Sequence, residues 1–84
     1  MEFKVGQIVK SIAGHDKGDL LMITEIEENS VFVSDGKQRP LEKPKRKNLR
    51  HVEVTSSIFD VNLIATNRKL RRTINELKKL SEVN

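Results

Sequence analysis

The chain contains no cysteine, tryptophan or tyrosine, and only three aromatic residues, Phe3, Phe32 and Phe59, among 84. Without cysteine, neither a disulfide nor a thiolate metal ligand can support the fold. That is compatible with the cytoplasm, which is the expected location. Scarce aromatics argue against the stacking platforms used to hold single-stranded nucleic acid. No apolar run approaches the ~20 residues a membrane-spanning helix requires. The opening MEFKVGQ also lacks the apolar stretch of a signal peptide. A chain of this length has room for one core, and a thin one, since small domains bury only ~60% of their unfolded surface.

Catalytic chemistry is equally poorly supplied. His15 and His51 are the only histidines, and no nucleophile–base–acid set can be assembled around them. A zinc site would need both plus carboxylates, at a spacing that matches no ligand pattern. Gly36-Lys37 is not a phosphate-binding Walker loop: Val31 stands where the first glycine belongs, and Gln38 follows the lysine. Asp16 and Asp35 sit in turn sequences, where Asp bonds the backbone. No catalytic residue, metal or cofactor is expected, and the chain reads as a non-enzyme.

What the chain does have is unevenly placed positive charge. The net charge is +4. Residues 1–36 carry three Lys and seven Asp or Glu, whereas residues 37–51 carry seven Lys or Arg and one Glu. Residues 52–84 hold six basic and four acidic residues. Fifteen residues therefore concentrate the charge, and a polyanion would relieve their mutual repulsion. A block of like charge is often only a solvated loop. Here Pro40 and Pro44 stiffen it and strands flank it, so it loses less entropy on binding than a tail would. Arg39, Arg46 and Arg50 are candidates for bidentate phosphate contacts, and Lys37, Lys43, Lys45 and Lys47 for point-charge contacts.

The segment that organises the chain is VGQIVKSIAGHDKGDLLMITEI, Val5 to Ile26. Val9, Ser11 and Ala13 recur at period two, the strand repeat. Gly14 and Gly18 bound a polar loop and permit the positive φ other residues avoid. Leu21, Ile23 and, after a slip, Ile26 return the apolar face. Strands are expected at Gly6–Ile12, Leu20–Glu27, Ser30–Ser34 and Leu49–Val54, with Val31 and Val33 inward. Residues 37–48 are expected to form a loop or an edge segment, with at most a short strand near Leu41, because proline cannot donate to a ladder. Five short strands at this spacing favour a mainly β fold, a small five-stranded barrel of the Src-homology-3 (SH3-like) type.

From Thr55 the period changes. Residues 55–66 read as a connector, and residues 67–81 as a C-terminal helix packed on the barrel (residues 1–54). Asn67 is placed as its N-cap. Leu70, Ile74, Leu77 and Leu80 form one apolar stripe. At ~14 residues such a helix is marginal alone and needs a surface to dock on. Its basic residues fill the other faces. They fit a solvated face, a nucleic-acid surface through Arg68, Arg71 and Arg72, or an acidic partner equally well.

Gly6, Val9, Gly18, Leu21, Ile23 and Ile26 together resemble the KOW motif, with Gly18 matching its near-obligatory glycine. The likeness runs through SDGKQRPLEKPKRKNLRHV and spans Val5 to Val54. The whole is similar to small bacterial KOW-domain RNA-binding proteins related to a large-subunit ribosomal protein family of archaea and eukaryotes. It departs from the NusG-type transcription factors, whose Gly-Pro-aromatic loop is replaced by Gly14-His15-Asp16-Lys17. On local sequence Gly14–Gly18 reads equally as a plain hairpin connection. The resemblance implies RNA contact by His15 and Lys17, with ribosomal RNA as partner and ribosomal proteins beside it. The implied role is in translation, within a ribonucleoprotein and without a membrane. A protein-interaction adaptor of the transcription or translation machinery is the alternative, and nonspecific DNA binding a weaker third.

Overall fold

The computed structural model describes residues 2–82, with side chains through residue 80. Five strands precede one helix: β1 (Gln7–Ser11), β2 (Leu20–Ile26), β3 (Ser30–Ser34), β4 (Lys45–Asn48), β5 (Val52–Ile58) and α1 (Asn67–Glu82). The strands form one antiparallel sheet in the order β4-β3-β2-β1-β5. The fold is therefore mainly β with a C-terminal helix, as the patterning predicts.

The connectivity forces the sheet to curl. Edge strands β4 and β5 are joined by a single 3-10 turn, Leu49–His51. In a flat sheet they would lie four strand spacings apart, ~19 Å. The four peptide steps from Asn48 to Val52 reach at most ~14 Å. The sheet curls over, without β4 and β5 pairing, and encloses Val9, Leu21, Ile23, Val31, Val33 and Val52, with Leu49 and Val54 packed against them.

A second core lies on the outer face. Ile8 and Met22, which pair across β1 and β2, are covered by Ile64, Leu70 and Ile74. β1 and β2 are thus buried on both faces, and the unbroken run Leu20–Ile23 is the sequence signature of that double burial. The helix stripe docks here through Leu70 and Ile74, with Leu77 partly covered. Leu80, the last member of that stripe, is 67% exposed. No helix among the described residues is long and apolar enough to cross a membrane.

Several local expectations are corrected. The short edge strand of the basic segment is β4, at residues 45–48, and not near Leu41. Residues 49–51 form the 3-10 turn rather than opening the last strand, which starts at Val52 and runs on to Ile58. In that turn Asn48 Oδ1 accepts from the Arg50 N–H at 2.9 Å, and Leu49 turns into the inner core. The slip after Ile23 is real, with the β2–β3 register shifting between Ile23 and Glu25. Ile26 nevertheless does not return to the core and is 39% exposed. The helix cap is Thr66, whose Oγ1 accepts from the Lys69 N–H at 3.2 Å. Asn67 has other work: its Oδ1 accepts from the Leu41 N–H at 2.7 Å and its amide donates to the Glu42 carboxylate.

Candidate nucleic-acid interface

The Gly14–Gly18 loop is built from its ends inward. Gly14 and Gly18 both have positive φ, 89° and 93°. The Gly18 N–H donates to the Ser11 carbonyl at 2.8 Å, and the Asp19 N–H to the Asp16 carbonyl at 2.9 Å. Asp16 points into the protein rather than outward. Its Oδ1 accepts from Ser11 Oγ at 2.7 Å and from Lys47 Nζ at 2.7 Å. The same ammonium donates to the Ala13 carbonyl at 3.0 Å. Burial alone would raise the Asp16 pKa. The hydrogen bonds from Lys47 and Ser11, with the charges of Lys47 and Lys45, outweigh it and hold the carboxyl below its ordinary value. This ion pair crosses the barrel from β4 to the β1–β2 loop, and its side chains are only 5% and 9% exposed.

Lys47 is therefore a correction. It pairs in register with Val31 on β3 and faces the inner core. Its ammonium is spent on Asp16 and Ala13 and is not offered to a phosphate. Lys45, two residues earlier, is half-buried, and its charge acts on Asp16. Arg46 faces outward: its Nε donates to Ser30 Oγ at 2.9 Å and pairs with Glu27 at 3.3 Å. That pair is largely exposed, so it contributes only ~0–1 kcal/mol and yields readily to a stronger anion.

The other candidates fall into distinct places. His15 and Lys17 are exposed on the loop. Lys37 is exposed at the tip of a turn in which Asp35 Oδ1 accepts from the Lys37 and Arg39 N–H groups at 2.8 and 2.9 Å. Arg39 is half-buried; Lys43 and Arg50 are exposed. Arg50 adjoins His51, whose carbonyl accepts from the Ile12 N–H at 2.9 Å, just before the loop. Since Met22 pairs with Ser34 and Val33 with Lys45, the Asp35–Arg39 turn and the start of β4 share one end of the sheet with the Gly14–Gly18 loop.

The helix arginines divide. Arg71 reaches that same end: Gly36 packs against it, and a groove of about 220 Å³ joins it to Lys37, Asp19 and Lys78. Arg68 and Arg72 line a separate, shallow concavity with Lys69. Lys78 belongs with Arg71 and escaped the sequence reading. The available clue was its spacing of seven, two helical turns along one face. Among the described residues, none of Arg68, Arg71, Arg72, Lys37, Lys43, Lys45 and Arg50 lies within salt-bridge distance of a carboxylate.

No protein-family profile matches the chain. Over 72 residues it is 28% identical to the large ribosomal subunit protein eL14 of Staphylothermus marinus. That alignment takes in 84% of this chain and 75% of the archaeal protein. The similarity covers most of both chains and is in keeping with the ribosomal resemblance of the sequence.

Proposed function

We propose that this protein is a non-enzymatic RNA-binding module of the ribosome or its associated factors, working in the cytoplasm on structured ribosomal RNA. The observation that carries the reading is the buried Asp16–Lys47 pair. It ties the Gly14–Gly18 loop to β4, the strand formed by the basic segment. Lys17, Lys37 and Lys45 are then held near one end of a rigid barrel, without the ordering entropy a loose basic tail would lose. Lys and Arg there neutralise phosphates and release counterions. Similarity to a protein named for the large ribosomal subunit supports RNA of that kind as the polyanion.

The test is a salt-series titration against labelled structured ribosomal RNA, with duplex DNA as competitor. RNA should win, and log affinity should fall linearly with log salt. The Lys17→Ala/Lys37→Ala/Lys45→Ala variant should reduce the slope by about 2–3, at ~0.7–0.9 per phosphate contact. An unchanged slope would remove this end of the barrel from the interface.

One observation favours a second reading, the adaptor. Between β5 and α1 lies a groove lined by Ile8, Leu20, Leu77 and the exposed Leu80, with Ile58 exposed at the end of β5. An apolar protein surface would fit there. A complex formed that way survives nuclease treatment, whereas an RNA-mediated one falls apart.

A further inference from the structure

The groove between the Asp35–Arg39 turn and α1 has a composition that phosphate binding does not explain. Two carboxylates, Asp19 and Asp35, stand in it beside the cations. The Asp19 carboxylate accepts no hydrogen bond among the described residues, and Asp35 uses only Oδ1. Leu20 and the buried Ile74 add apolar surface to its lining. Arg71, Asn75 and Lys78 face it from one side of the helix, at the i, i+4, i+7 spacing of a single face. At about 220 Å³ it is smaller than the ~300–1,000 Å³ of pockets that hold whole drug-sized ligands.

Resting on the RNA reading above, we propose that this groove takes one unpaired guanine base of the bound RNA. A phosphate would use the three cations Lys37, Arg71 and Lys78 and leave the two carboxylates without a partner. A base edge rich in N–H donors is instead drawn to them. Guanine places N1–H and the N2 amino group side by side, the donor pair that a carboxylate's two oxygens accept together. Adenine and cytosine set one amino group beside a ring acceptor, and uracil sets one N–H between two carbonyls, so neither pattern satisfies the site. Leu20 and Ile74 supply apolar surface for the ring, and the Arg71 guanidinium a planar partner for its face. Asn75 can donate to guanine O6 or N7. Lys37 and Lys78 lie at the groove for the flanking phosphates. Base recognition by this route needs no aromatic side chain, consistent with the chain's near lack of them.

The experiment uses two RNA hairpins, identical except for a single bulged G or bulged A, titrated with the full chain at one salt concentration. The G hairpin should bind at least about fivefold tighter, the lower end of what one bidentate base contact supplies. Asp19→Asn should abolish that ratio, and by removing a negative charge it should strengthen binding to the A hairpin. Asn75→Ala, an exposed helix substitution, should weaken the G hairpin selectively. In parallel, 5′-GMP but not 5′-AMP should shift the amide resonances of Gln38 and Asn75 in the labelled protein. Salt-dependent RNA binding with no preference for G overturns the base site and leaves the RNA reading standing. So does a G preference that Asp19→Asn leaves intact. No RNA binding at low salt overturns both.

Discussion

Replacing Lys47 by alanine tests the device that holds the loop. The substitution leaves the Asp16 carboxylate buried against Ser11 with no cation beside it. Removing one member of a buried pair destabilises by about 3–5 kcal/mol, because the remaining charge is uncompensated. For a chain of 84 residues total stability is on the order of 4–12 kcal/mol, so the variant should sit near its unfolding threshold at pH 7. The pH dependence should also change. In the natural protein the Asp16 pKa is lowered on folding, so its contribution is present above the unfolded value of ~3.9 and is lost as pH falls through the folded value. In Lys47→Ala, burial is opposed only by the Ser11 hydrogen bond and the charge of Lys45, so the Asp16 pKa rises from its lowered value. The variant is then penalised most at neutral pH and recovers part of the deficit as acid protonates Asp16. Urea unfolding followed by far-ultraviolet circular dichroism at pH 7 and pH 4.5 reads both effects, and it needs no tryptophan. The double variant Asp16→Asn/Lys47→Met removes both charges and should restore most of the loss. A deficit below about 1 kcal/mol, equal at the two pH values, would refute the reasoning and make the pair equivalent to a surface contact.

Two glycines with similar backbone conformation should respond differently to alanine. At Gly36 (φ +78°) a Cβ would come 2.3 Å from the Asn67 carbonyl oxygen, so Gly36→Ala should lower the thermal midpoint well beyond the ~1–2 kcal/mol of a left-handed alanine. At Gly18 (φ +93°) nothing lies in the way, and Gly18→Ala should show that backbone cost alone. Leu70→Ala opens the outer core and should cost about 2–5 kcal/mol in denaturant unfolding, whereas exposed Leu80→Ala should stay within about 0.5 kcal/mol. Thr66→Ala removes the helix cap and should cost about 1 kcal/mol, with earlier hydrogen exchange in the first turn of the helix.

The first three strands were legible because their burial leaves a local mark. Val31 and Val33 alternate inward, and β3 has the predicted bounds. β4 was not legible. Its sequence Lys-Arg-Lys-Asn has no apolar member, and its strand character comes from pairing with Ser30–Val33 across the connection of residues 35–44. The apolar spacing set the helix, but the cap was displaced by one residue because Asn67 bonds Leu41 and Glu42 instead. In the candidate interface, composition could place cations in a segment but could not say which one turns inward. Lys47 differs from Lys45 only in where β4 meets the barrel, and its partner Asp16 lies 31 residues away.

β4 is also an edge of the sheet, and its cations have a consequence there. An exposed edge offers unpaired N–H and C=O groups on which a second copy of the chain can add its own edge. Lys45, Arg46 and the preceding Pro44 make that approach repulsive and awkward. The basic strand acts as a guard against self-association. Stripping its charge should therefore allow the growth of β-paired oligomers.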